Sequence, residues 1–174
     1  MHGFDPVDYF SSHLATTYAT KYLNSDYELL YPSEYPISLR AIADRTGWCH
    51  PTPLGITIHH HFGTWYAFRA LFLIKARLPA SDCSPTNHPC ESCIDKPCIS
   101  ACHANAVGEI GSFNLEACAR FRIQESSPCS FRCISRIRCP VGSEYQYVPK
   151  QMKYHYKRGR DSMVRFYSEH SDQD

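Results

Sequence analysis

CESCIDKPCISACHANAV, residues 90–107, sets four cysteines within thirteen residues and follows the last of them with His103. The spacing is CxxCxxxxCxxxC through Cys90, Cys93, Cys98 and Cys102. A second group follows as Cys118, Cys129, Cys133 and Cys139, with Pro140 directly after the last. Three chemistries use cysteine this densely: disulfide frameworks, zinc sites and iron–sulfur clusters. Disulfide frameworks belong to small secreted domains that cannot build a core. This chain has 174 residues, 43% of them hydrophobic and 13% aromatic, which is enough for a packed core. Its start, MHGFDPVDYF, lacks the basic and apolar regions of a secretory leader, so the expected compartment is a reducing cytoplasm.

Zinc and iron–sulfur then remain. A structural zinc site closes four thiolates around one ion at about 2.3 Å, and zinc ribbons supply them as two CxxC knuckles. Here only Cys90 and Cys93 form a CxxC pair; the other spacings within the two groups are x4, x3, x10, x3 and x5. A four-iron four-sulfur cube needs one thiolate per iron, three from a loop and a fourth from elsewhere in the chain. Bacterial spacing for this purpose is CxxCxxCxxxCP. The first group fits it with two residues inserted near Asp95 and Lys96, and the Cys139-Pro140 pair leans the same way. Spacing therefore favours iron–sulfur over zinc without excluding zinc.

Charge adds little. The formal net charge is +1, which gives no reason to expect nucleic acid as a partner. No run reaches the roughly 18 apolar residues of a membrane span. The best candidate, WYAFRALFLI (65–74), is interrupted by Arg69 and followed by Lys75 and Arg77, and reads as a buried helix.

Cysteine distribution divides the chain: Cys49 stands alone in residues 1–82, and the other nine lie in residues 83–139. In the first part, Asp5-Pro6 opens a helix over 5–23 with Phe10, Leu14, Tyr18 and Leu23 on one face. YELLYP (27–32) reads as a strand. ISLRAIADRTG (37–47) reads as a helix closed by Gly47. PLGITIH (53–59) reads as a buried strand, and GTWYAFRALFLIKARL (63–78) as a helix through Trp65, Phe68, Leu71, Phe72 and Ile74. Two strands and three helices make a poor free-standing layer, so this α/β segment is expected to pack on the cysteine domain or to be completed by a partner or an upstream segment. PASDCSPTNHP (79–89) is the connecting loop. The expected organisation is α+β, with an α/β segment over 1–82, a cysteine domain over 83–142 and an aromatic, basic extension over 143–174. In that extension KYHYKRGR (153–160) reads as a solvated helix face with aromatic contacts to the core, and the last seven residues as frayed.

The cysteine order, with ACARFRIQES around Cys118 and Cys139 followed by proline, resembles the two-cluster ferredoxin region of epoxyqueuosine reductases and, more distantly, of reductive dehalogenases. GWCHPTPLGITIHHHFGTWYAFRALFL is similar to the segment that leads into that region. The chain also resembles bacterial ferredoxin-type proteins with PLGI, GTW and CPVG sequences, over about residues 27–156. The resemblance implies a two-cluster ferredoxin-like domain. It assigns Cys90, Cys93, Cys98 and Cys139 to one 4Fe–4S cluster, and Cys102, Cys118, Cys129 and Cys133 to the other. It also implies a cytoplasmic electron carrier that serves a redox partner protein. Two departures stand out: His103 occupies the position where relatives have proline, and residues 1–82 span about half of their cobalamin-binding part. A cobalamin-dependent or other cofactor-dependent reductase is thus one alternative function, and a zinc-stabilised interaction module another.

With eight thiolates present, His103 is expected beside Cys102 as a hydrogen-bond donor or at solvent rather than as a ligand. His59, His60 and His61 at a strand end alternate in direction, a poor geometry for one metal. Cys49 and Cys83 are expected to be plain thiols.

Overall fold

The computed structural model describes residues 5–23, 25–33, 35–77, 79 and 87–170. The fold is mixed α+β, with helices and two small antiparallel ladders. The chain divides into two compact units. One comprises residues 1–47 and 67–85; the other comprises 48–66 and 86–174. Residues 48–66, which precede the 82/83 boundary suggested by cysteine distribution, thus belong with the cysteine-rich part.

In the first unit, α1 (Pro6–Tyr18) starts where Asp5-Pro6 predicts: the Asp5 carboxylate accepts from the Val7 and Asp8 amides, and Pro6 needs no donor at that position. A π-helical turn, Ala19–Leu23, continues it. The buried stripe differs from the expected one. Ser11, Ala15 and Ala19 are buried, whereas Phe10 and Leu14 are 64% and 57% exposed. Small residues at i, i+4 and i+8 let the helix approach its neighbours closely, and the bulky stripe is rotated outward. β1 (Tyr27–Tyr31) forms as expected. α2 (Leu39–Arg45) is capped by the Ser38 hydroxyl accepting from the Ala41 amide, and Gly47, at φ +67°, follows its C-terminus.

The helix expected over 63–78 is absent. Residues 65–70 are irregular, and Leu71–Ile74 form a strand, β4, paired antiparallel with β1 from Tyr27↔Ile74 to Tyr31↔Leu71. A strand must bond its backbone groups to something. YELLY has LFLI as its partner, and that pairing overrides the helical spacing of the aromatic residues. The ladder is antiparallel, so the parallel arrangement of an α/β layer does not arise.

In the second unit, β2 (Cys49–Pro51) and β3 (Thr57–His59) form a hairpin. The strand expected over 53–59 is confined to its last three residues because Thr52 closes a turn: its amide and hydroxyl both donate to the Ile56 carbonyl. A second tight turn joins His59 and Gly63 through reciprocal backbone bonds of 2.8 and 2.9 Å. Gly63 and Gly142 then bring two backbones together. A Cβ on Gly63 would lie 1.9 Å from the Val141 carbonyl oxygen, and one on Gly142 would lie 2.4 Å from the Phe62 carbonyl carbon. Both have positive φ, so only glycine serves at either position without strain.

Among the described residues this unit also holds four α-helices, α3 (Pro97–Ser100), α4 (Leu115–Ile123), α5 (Ile134–Ile137) and α6 (Pro149–His170), and a short 3-10 turn at Ser143–Tyr145. α3 packs against α5, and α4 against α6. The Asn114 side chain caps α4 by accepting from the Ala117 amide at 2.9 Å. At the other end Arg160 of α6 donates to the carbonyls of Arg122 and Ile123, satisfying groups a helix terminus leaves unpaired. The KYHYKRGR run is helical, as expected, and Tyr156 lies against α4 beneath the Arg122 guanidinium, 4.9 Å from its ring centre. Of the final seven residues, 168–170 are still helical and the rest lie outside the described residues.

The interior is built of small side chains, with Trp65, Ile58, Leu54 and Met152 its bulkiest buried apolar members. Trp65 and Tyr147 flank the Arg136 guanidinium at 4.2 and 5.3 Å, and Arg136 Nε donates to the Thr64 hydroxyl at 3.3 Å. A second bond runs from Arg136 to the Thr64 carbonyl. No described helix is long and apolar enough to cross a membrane.

Candidate functional site

The eight cysteines of the two sequence groups line two cavities in the second unit. Cys90, Cys93, Cys98 and Cys139 line one, with Pro53, Ile58 and Lys96. Cys102, Cys118, Cys129 and Cys133 line the other, with Phe113, Phe121 and Tyr156. These are the fours that the resemblance implies, each drawing from both sequence groups. Free space for a water-sized body is about 20 Å³ in the first and about 270 Å³ in the second, so the first is closely walled and the second roomy.

Short elements present the sulfurs. Lys96, at φ +37°, turns the chain sharply into Pro97 and α3, which carries Cys98. Lys96 is held by an ion pair with Glu109 at 2.8 Å. The cap of α4 starts the helix so that Cys118 falls in its first turns. Cys133 itself caps α5, its sulfur accepting from the Arg136 amide at 3.4 Å. The Ala106 amide donates to Cys102 Sγ at 3.3 Å. Further backbone donors reach Cys139 from Val141 and Cys98 from Ile99.

Electrostatics reflect the same grouping. Burial pushes the Cys90 thiol up to about 11; the sulfurs of Cys139, Cys98 and Cys93 add to the rise and Lys96 opposes it. Burial likewise pushes Cys118 up to about 11, opposed by the Arg122 charge and reinforced by the sulfurs of Cys133, Cys102 and Cys129. Cys98, Cys133 and Cys139 are also raised, chiefly by burial, with backbone N–H donors working the other way. The sulfurs that raise each of these thiols most belong to its own four. The nine described cysteines are free thiols, and among the described residues no three His, Cys, Asp or Glu side chains are grouped to hold a single metal ion.

The remaining sequence candidates take other roles. His103 Nδ1 faces the Ala101 carbonyl at 3.2 Å, and the ring borders the second cavity. His59 Nδ1 accepts from the amides of His61 and Phe62, its ring stacks on His60, and His61 Nε2 meets the Tyr145 hydroxyl at 2.5 Å. These histidines thus shape a turn. Cys49 is buried in β2. Cys83 lies outside the described residues.

Sequence reasoning passed over the arginines. Arg122, Arg132 and Arg136 line the second cavity. A signal existed for one: Arg122 lies four residues after Cys118 on a helix, a spacing that sets two side chains on one face.

Comparison of the chain with protein-family models, with curated proteins and with solved structures finds no match.

Proposed function

We propose that this chain is an electron-transfer protein with two 4Fe–4S clusters, one held by Cys90, Cys93, Cys98 and Cys139 and the other by Cys102, Cys118, Cys129 and Cys133. It passes electrons to a partner oxidoreductase. The observation that carries this reading is the sorting of eight cysteines into two fours, each around its own cavity. Four thiolates per cavity match one per iron, and exchange of a cysteine between the sequence groups is the ligation habit of two-cluster ferredoxins. A tetrahedral zinc ion would need all four sulfurs about 2.3 Å from one point; the roomy second cavity, with about 270 Å³ of free space among its four sulfurs and other lining residues, suits a larger inorganic body better.

When bound, such a cluster takes up and releases single electrons. The residues of the chain do the rest. Backbone N–H groups at Ala106, Arg136, Val141 and Ile99 stabilise thiolate charge at Cys102, Cys133, Cys139 and Cys98. Apolar walls at Pro53, Ile58, Phe113 and Phe121 limit water around the sulfurs.

Anaerobic purification followed by iron, sulfide and zinc analysis tests the reading. The expected result is about eight iron and about eight labile sulfide per chain, with visible absorption that bleaches on reduction. Cys139→Ser and Cys118→Ser should each reduce the iron content by up to about half, through different clusters. Stoichiometric zinc without labile sulfide would overturn the proposal and favour the zinc-stabilised module.

A further inference from the structure

Two buried side-chain nitrogens among the described residues have no hydrogen-bond partner: His88 Nε2 and Arg122 Nε. A buried donor left unpaired costs about 1–3 kcal/mol, and more when charged, so such a group asks what it is kept for. Arg122 borders the second four-cysteine cavity. The rest of its guanidinium is engaged. One terminal nitrogen donates to the Tyr156 carbonyl at 3.1 Å, the other approaches the Met163 sulfur at 3.7 Å, and the plane lies over the Tyr156 ring. The other two arginines of this cavity have their Nε groups committed, Arg132 to the Pro128 carbonyl and Arg136 to Thr64. Arg122, which lines the cavity, alone of the three keeps an unpartnered Nε–H.

The charges around the two cavities are also unequal. Three arginines border the second, whereas Lys96 borders the first and is paired with Glu109. Reduction adds one electron and breaks no bond, so nearby positive charge in a water-poor site favours the reduced form.

Building on the electron-transfer reading, we infer that Arg122 is a positioning residue for the cluster held by Cys102, Cys118, Cys129 and Cys133: it donates its Nε–H to a sulfur of that cluster and makes it the more readily reduced of the two.

The test is a potentiometric titration of the anaerobically prepared full chain, followed by EPR, with Cys93→Ser and Cys129→Ser used to assign each signal to its cluster. The signal perturbed by Cys129→Ser is expected at the more positive potential. Arg122→Gln should move that signal to more negative potential and leave the other in place. Arg122→Lys, which keeps the charge without the planar Nε–H, should recover part of the shift. Arg160→Gln loosens the same helix pair from outside the cavity and should move neither signal. If Arg122→Gln does not retain the cluster, Arg122→Lys carries the test, with a smaller shift of the same sign expected. An unmoved potential in the loaded Arg122 variants, the reverse order of the two signals, or an equal shift from Arg160→Gln overturns this inference alone. A protein that holds no iron–sulfur cluster overturns the electron-transfer reading and this inference with it.

Discussion

Gly63 and Gly142 are the residues at which one added carbon should do the most damage. Each sits at positive φ with the opposing backbone where a Cβ would go. Gly63→Ala is expected to cost about 3 kcal/mol or more, combining left-handed strain with a clash that side-chain rotation cannot relieve. Urea unfolding would measure it, and an unchanged midpoint would show that the two backbones are not in contact. Because Val141 follows Cys139 by two residues, on the proposed ligation the same substitution should weaken metal loading at the first four cysteines more than at the second.

The thiols themselves predict a pH dependence. Cys90 and Cys118 titrate at about 11 in the folded metal-free chain, above the roughly 8.5 of an unfolded cysteine. Between those values the unfolded chain loses protons first, so unfolding is favoured as pH rises. The stability of the metal-free protein should be fully present below about pH 8.5 and decline toward about pH 11, as read by thermal melts across that window. A melting temperature that rises through it would contradict the burial of these sulfurs.

Among the elements, α4 carries the most consequence for its length, since it presents Cys118 and Arg122 together. Asn114→Ala removes its cap and should cost about 1 kcal/mol, measured by denaturant unfolding. Both sets of four cysteines should still load, because the hydrophobic and Arg160 contacts of α4 remain. On the proposed ligation, loss of iron from the Cys102, Cys118, Cys129 and Cys133 site in this variant would mean that the cap, rather than α6, holds the helix in place. The elements also show how far local pattern carries. Asp5-Pro6 and Gly47 marked helix ends because caps are made within a few residues of where they are read. Trp65 to Ile74 misled because its residues serve different neighbours: Trp65 packs on Arg136, and Leu71–Ile74 pair with β1. Helical spacing cannot register a commitment to partners about 40 to 70 residues away. The cysteines stood out by their spacing, and their sorting between two cavities matches the fours that the resemblance implies, whereas the contacts of Arg122 with Tyr156 and Met163 of α6 are nothing that spacing mentions.

At the scale of the molecule, the cysteine-rich unit has few bulky buried side chains; Ile58 and Pro53 are the largest that are fully enclosed. An interior of this kind supplies little hydrophobic stabilisation, and eight sulfurs take up space that aliphatic groups would otherwise fill. In small metal domains metal binding contributes roughly 10 kcal/mol, comparable with the whole net stability of a typical domain. On the proposed iron–sulfur reading, removing the metal by anaerobic chelation should therefore lower the melting temperature sharply and broaden the transition. Protection of backbone amides from hydrogen exchange should fall most in residues 88–142. Equal melting with and without metal would mean that packing alone sustains this unit.

The exchange of cysteines between the two cavities also sets a timetable. Cys90, Cys93 and Cys98 leave the ribosome together, yet their fourth companion, Cys139, follows about 40 residues later, a delay of roughly 2 to 8 s at ordinary rates of synthesis. Cys133 completes the other four only moments before. Neither cavity can close early, so both sets of thiols wait open over the same interval, and on the proposed iron–sulfur reading whatever delivers iron would meet a nascent chain that becomes competent for both sites almost at once.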